Sequence, residues 1–188
     1  MDIYLVRHTT LTVEKGLCYG QADIPLAPTF LQEATDTAKQ IAEKQRATYI
    51  SSPSRRCTQL AANLGRRPPI TDRRLLELNF GQWELKLWET LDTDQVDAWL
   101  GDIINTPCPG GEAYADLYGR VIEFFLETLH KNHHSIVITT HAGVIRCILA
   151  YVLEMPLQRA FDIRLAYGGV SKISSDGDVI SVDFINRI

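Results

Sequence analysis

Two histidines, His8 and His141, each follow a short apolar run directly, and His8 has Arg7 at its side. A neutral imidazole, with an ordinary pKa near ~6.5, is a competent nucleophile at neutral pH and needs no second base to activate it. Phosphoryl groups are the natural electrophile for such a pair, because their oxygens call for cationic, bidentate donors. Arg55 and Arg56 are candidates for those donors, since they stand near the start of a helical pattern. Glu77 and Glu84 lie in the apolar segment Leu75–Glu84. The pattern leaves two readings for a carboxylate there: one half of a salt bridge, or a desolvated proton donor. His130, His133 and His134 form with Glu127 a single Glu-x-x-His pattern at a helix end. A carboxylate-bridged metal pair needs such motifs from two helices, and no cysteine stands at zinc-ligand spacing from a histidine. These three histidines are read as structural or surface residues, with no metal and no cofactor. The pairs Arg66-Arg67 and Arg73-Arg74 are read as solvated charge.

The elements that must position these groups follow from periodicity. Asp2–Val6, Ala47–Ile50 and Ser135–Thr140 have the length and β-branched content of buried strands. Leu31, Ala34, Ala38, Ile41 and Ala42 recur at helical spacing between the first two runs. After the second run, Ser52 can cap a helix, Pro53 suits its first position and Gly65 its end. Gly143–Leu153 is apolar nearly all round, and Tyr114–Leu129 carries a helical apolar stripe. Alternating strands and helices imply a parallel α/β sheet, whose ligands collect outside the carboxyl ends of the strands. Arg7-His8, Ser51-Ser52 and His141 would therefore face one crevice. Gly168–Ser174 and Val179–Ile185, around Ser175-Asp176-Gly177-Asp178, read as a closing hairpin.

The chain has 188 residues, which fits a single domain over 1–188, and its 45% hydrophobic and 22% charged residues argue against disorder or a coiled coil. The longest apolar stretch, Ala142–Leu153, is shorter than the ~20 residues that span a bilayer. With no signal-peptide pattern at the N-terminus, the expected location is cytoplasmic. Cys18, Cys57, Cys108 and Cys147 are widely spaced and read as free thiols. Net charge is −4, but Arg46–Arg74 holds seven arginines against Asp72, and Leu75–Glu127 holds eleven acids against Lys86 and Arg120. Few aromatics interleave with the arginines, so the basic block suggests a local anion site rather than a nucleic-acid track.

Five segments in this order resemble the histidine phosphatase, or phosphoglycerate mutase-like, superfamily: Leu5–Thr10, Ser52–Ala61, Leu76–Glu84, Pro109–Glu112 and Thr140–Arg146. The resemblance implies a three-layer α/β/α sandwich with a mostly parallel central sheet. It further implies that His8 is the nucleophile and that Arg7, Arg56 and His141 hold the phosphoryl oxygens, with Glu77 as proton donor; it thus selects Arg56 over Arg55. The implied partner is a small-molecule phosphate ester, with neither nucleic acid nor membrane involved. Cys18–Leu26, following the threonine version of the first motif, is similar to the α-ribazole phosphatase branch. The chain departs from the family pattern at Thr9-Thr10-Leu11, at Glu14 and at Phe30. It is also too short for segments resembling the insertions of phosphoglycerate mutases, so hydrolysis is expected over transfer between hydroxyls.

Overall fold

A computed structural model describes every residue except 43, 44, 66, 132 and 178. Six strands form one sheet in the order β3-β2-β4-β1-β5-β6, with β1 (Asp2–Arg7), β2 (Thr48–Ser51), β3 (Ile70–Thr71), β4 (Ser135–Thr140), β5 (Val170–Ser175) and β6 (Ile180–Arg187). The first four run parallel, and the β5–β6 hairpin joins through an antiparallel β1–β5 pairing. The sheet is mixed and mostly parallel.

Strand β1 shows why there are three layers. Successive side chains point to opposite faces of a strand, and β1 is apolar on both. Ile3 and Leu5 join one core with Leu117, Val121 and Phe125 of α4 (Tyr114–Leu129) and Ile145 and Leu149 of α5 (Ala142–Val152). Tyr4 and Val6 join the other with Ala34 of α1 (Phe30–Lys39) and Leu60 and Leu64 of α2 (Arg55–Leu64). β4 is buried along its whole length, as a central strand must be.

The strand and hairpin expectations hold to within a residue or two, and corrections fall on two helices and on the start of β5. The helix after β2 starts at Arg55 with Ser54 at its cap, not at Pro53 with Ser52. Leu31 is 68% exposed, and α1 ends before Ile41, which is buried beyond the helix. Gly168 and Gly169 precede β5 and instead tie the loop to the site: Gly168 donates to the His8 carbonyl at 3.1 Å, and Gly169 accepts from the Arg7 amide at 3.1 Å. Asp178 of the predicted turn and Arg66 of the basic block lie outside the described residues. Helix α3 (Thr93–Gly101) and the two-residue edge strand β3 carry patterns too short or too polar to stand out. Among the described residues, no helix is long and apolar enough to cross a membrane.

The basic block does not act as a unit. Arg46, Arg55, Arg67 and Arg73 are exposed, and Arg74 pairs with Asp72, Glu123 and Glu127 at 2.8–2.9 Å. Arg56 alone of the described arginines in the block is buried, at 1% exposure.

Candidate active site

Register brings the two histidines together. Arg7 lies opposite Thr140 in the parallel β1–β4 pair, so the next residue of each strand, His8 and His141, emerges from the same edge one strand spacing apart, about 4.8 Å. Their ring centroids are 5.4 Å apart. β2 is the neighbour of β4 on the other side, and it delivers Ser52, whose Oγ lies 2.8 Å from His141 Nε2.

Hydrogen bonds set the protons on both rings. His8 Nδ1 meets the Thr9 carbonyl at 2.9 Å; a carbonyl can only accept, so Nδ1 carries the hydrogen and Nε2 keeps its lone pair. Arg56 Nη2 donates to His141 Nδ1 at 3.2 Å, which leaves the His141 hydrogen on Nε2, donated to Ser52. Burial is the largest cause holding both imidazoles neutral, and the charge of Arg56 is the next. The His8 pKa is pushed down to about 3, against a bond to Thr9 that works the other way. His141 is held well below the ordinary range.

Neutral burial has a measurable consequence for stability. Unfolded His8 titrates near 6.5 and folded His8 near about 3, so below pH 6.5 the unfolded chain takes up a proton that the folded one does not. Stability is therefore full above that pH and declines until about pH 3. Between pH 7 and 4.5 the loss from His8 is roughly 2–3 kcal/mol, and His141 acts in the same direction. Urea unfolding at both pH values should show a flatter dependence in His8→Gln; an unchanged slope would contradict the neutral state.

The arginines are held by different loops. Arg7 donates through Nη1 to the Leu165 carbonyl at 2.6 Å, and its guanidinium lies 3.9 Å from the Tyr167 ring. Arg56 donates to the carbonyls of Ala22, at 2.7 Å, and of Gly20. Buried polar atoms almost always find partners. Among the described residues, six buried side-chain polar atoms have none, and two of them are Arg7 Nε and Arg56 Nε.

Glu77 reaches the site between two helices. Its Oε1 accepts from the Leu78 amide at 3.0 Å and its Oε2 from the Gly143 amide at 3.1 Å, in the first turn of α5. A Cβ on residue 143 would lie 2.2 Å from Glu77 Oε1, so a side chain there would force the carboxylate to shift. One cavity of about 290 Å³ is lined by all five predicted residues, Arg7, His8, Arg56, Glu77 and His141. Beyond them its wall is mostly apolar and aromatic, with Phe80, Trp88, Trp99, Tyr114 and Phe161, and Arg146 is the further cation.

The profile of the histidine phosphatase superfamily (branch 1) matches residues 3–188. The chain belongs to that superfamily. Among curated histidine phosphatase relatives, a Proteus mirabilis protein named as a probable phosphoglycerate mutase is 31% identical over 92% of this chain and 84% of its own. The adenosylcobalamin/alpha-ribazole phosphatase of Salmonella typhimurium is 26% identical over 92% of this chain and 90% of its own. In fold, the crystal structure of the alpha-ribazole phosphatase from Shigella flexneri superposes with a TM-score of 0.89 at 24% identity, covering 100% of this chain and 96% of that one.

Other sequence candidates lie apart from this histidine phosphatase cavity. Arg55 is exposed, and Thr9, Thr10 and Leu11 do not line it; the Thr10 amide donates to Glu33 at 2.8 Å. Glu14 is exposed, and Phe30 begins α1. His130 Nδ1 bonds the Leu126 carbonyl at 2.7 Å, and His133 Nδ1 lies 3.2 Å from Thr48 Oγ1. Among the described residues, no group of three or more His, Cys, Asp or Glu is arranged to hold a metal ion. Sequence reasoning missed Tyr19 and Tyr167, whose hydroxyls bond at 2.8 Å beside the arginines. They sit in irregular loops, where no periodicity marks them.

Proposed function

We propose that the protein is a metal-independent phosphomonoesterase that works through a phosphohistidine, within a single domain over 1–188. The carrying observation is the pair of neutral imidazoles 5.4 Å apart, flanked by two arginines with unspent buried N–H donors. His8 Nε2 attacks phosphorus, and the bond from phosphorus to the ester oxygen breaks. Arg7, Arg56 and His141 hold the non-bridging oxygens, while Glu77 donates a proton to the departing alkoxide. Water then attacks the phosphohistidine, Glu77 accepts its proton, and inorganic phosphate leaves. Guanidinium groups supply the charge neutralisation, so chelator treatment should leave turnover unchanged.

For the substrate we favour α-ribazole 5′-phosphate. The Cys18–Leu26 segment and the name of the Salmonella relative support it, as does a mostly apolar, aromatic wall suited to a flat base. The Proteus relative favours a second reading, phosphoglycerate mutase chemistry. Incubation with labelled α-ribazole 5′-phosphate and an alkaline quench should leave label on His8, with phosphate released. No label and no turnover would leave a phospho-ligand binder, and phosphate exchange between phosphoglycerate positions faster than release would favour the mutase.

The two neighbouring arginines separate cleanly in this scheme. Losing Arg56 removes charge-assisted bonds worth roughly 1.5–3 kcal/mol each, so Arg56→Ala should lower kcat/KM by about a hundredfold or more. Arg55→Ala, at an exposed position, should stay within about twofold. Equal losses in the two variants would refute the assignment of Arg56.

A further inference from the structure

Glu84 is a half-buried carboxylate that the proposed reaction does not use. It accepts four backbone N–H groups: Gly20 at 3.0 Å and Ala22 at 3.1 Å on Oε2, Gln21 at 2.9 Å and Phe80 at 3.2 Å on Oε1. Three of these donors are consecutive residues, and the same segment turns its carbonyls the other way. Gly20 O and Ala22 O receive Arg56 Nη2 and Nη1. The peptide unit between Gly20 and Gln21 therefore joins two charges, its N–H on the Glu84 carboxylate and its C=O on the Arg56 guanidinium. Chains of hydrogen bonds of this kind polarise one another in a buried setting. Packing leaves the segment no slack: a Cβ on residue 20 would lie 1.9 Å from the Leu78 carbonyl oxygen and 3.1 Å from Glu84 Oε1.

We infer that Glu84 is a positioning residue for phosphoryl binding: it fixes the Gly20–Ala22 segment, whose carbonyls in turn set the plane of the Arg56 guanidinium beside His141. The inference rests on the phosphatase reading for its consequence in activity, though not for the linkage itself. Glutamine at position 84 offers one acceptor oxygen where two serve four donors, and its NH₂ group faces N–H groups. Arg56 then loses its brace while keeping its charge.

Orthovanadate, which adopts the five-coordinate geometry of phosphoryl transfer, is the probe. Glu84→Gln should raise its inhibition constant about tenfold or more, with a parallel loss in kcat/KM. In an Arg56→Ala background, the same substitution should add less than about twofold, because the group it acts through is already gone. A folded Glu84→Gln protein that binds vanadate like the wild type overturns the inference, as does an equal penalty in both backgrounds. Should Glu84→Gln fail to fold, Glu84→Asp, which keeps the charge but withdraws it by one methylene, decides by the same two comparisons. A wild type that neither turns over nor binds vanadate refutes the phosphatase reading instead. The linkage is then read from the ¹⁵N–¹H resonance of Arg56 Nε, assigned by its loss in Arg56→Ala, which should shift in the Glu84 variant; an unmoved resonance counts against the inference.

Discussion

His8→Asn should abolish turnover, lowering kcat on the order of 10⁴- to 10⁶-fold, as removal of a nucleophile does when no other group can form the covalent intermediate. The size follows from the site's division of labour. Arg7, Arg56 and His141 remain in the variant, so a phosphate ester should still bind, and the loss should fall on kcat with KM little changed. His141 cannot substitute, because its lone pair at Nδ1 accepts from Arg56 and its Nε2 carries the hydrogen, which rests on Ser52 in the free site and turns to a phosphoryl oxygen when the ester binds. The measurement is steady-state hydrolysis alongside the alkaline-quench labelling described above. Label retained in His8→Asn would move the nucleophile elsewhere, and residual activity within tenfold of wild type would remove the covalent step.

Glu77→Gln should divide substrates by leaving group. An alkyl phosphate expels a strongly basic alkoxide and needs a proton in the transition state, so its hydrolysis should fall about 10²- to 10⁴-fold. p-Nitrophenyl phosphate expels a stabilised phenolate that needs none, so its first turnover should slow by about tenfold or less. Water attack on the phosphohistidine would still lack its base, and nitrophenolate should appear in a burst of about one equivalent per enzyme, followed by a slow steady state. Rapid-quench measurement of both esters checks this. Equal slowing of both first turnovers would recast Glu77 as a residue that holds the start of α5 through Gly143. A Gly143→Ala variant, which drives a methyl into the Glu77 carboxylate, should reproduce the leaving-group dependence at smaller amplitude.

The neutrality of His8 shapes what a pH profile can report. With the free-enzyme pKa at about 3, an acid limb of kcat/KM near pH 6 belongs to the phosphate ester's own second ionisation or to another group.

How much of this was legible in the sequence depends on whether a property is local. Strands β1 and β4, and the α4 and α5 helices, are written in short-range periodicity and could be read directly. So could the placing of His8 and His141 at carboxyl strand ends, because a parallel sheet sends all such ends to one edge. Motif order selected Arg56 and Glu77, where composition alone left Arg55 and a bare salt bridge open. The tertiary structure decided what depends on contacts between distant segments. Register set the imidazoles at 5.4 Å, burial and then the charge of Arg56 lowered their pKa, and Ser52 turned from a helix cap to a partner of His141. Gly20–Ala22 and Glu84 stand 62 or more residues apart, and the Tyr19–Tyr167 bond spans 148. Glu84 and the Cys18–Leu26 segment stand out in the sequence, but their pairing does not, because a hydrogen bond depends on position in space, and distance along the chain says little about that.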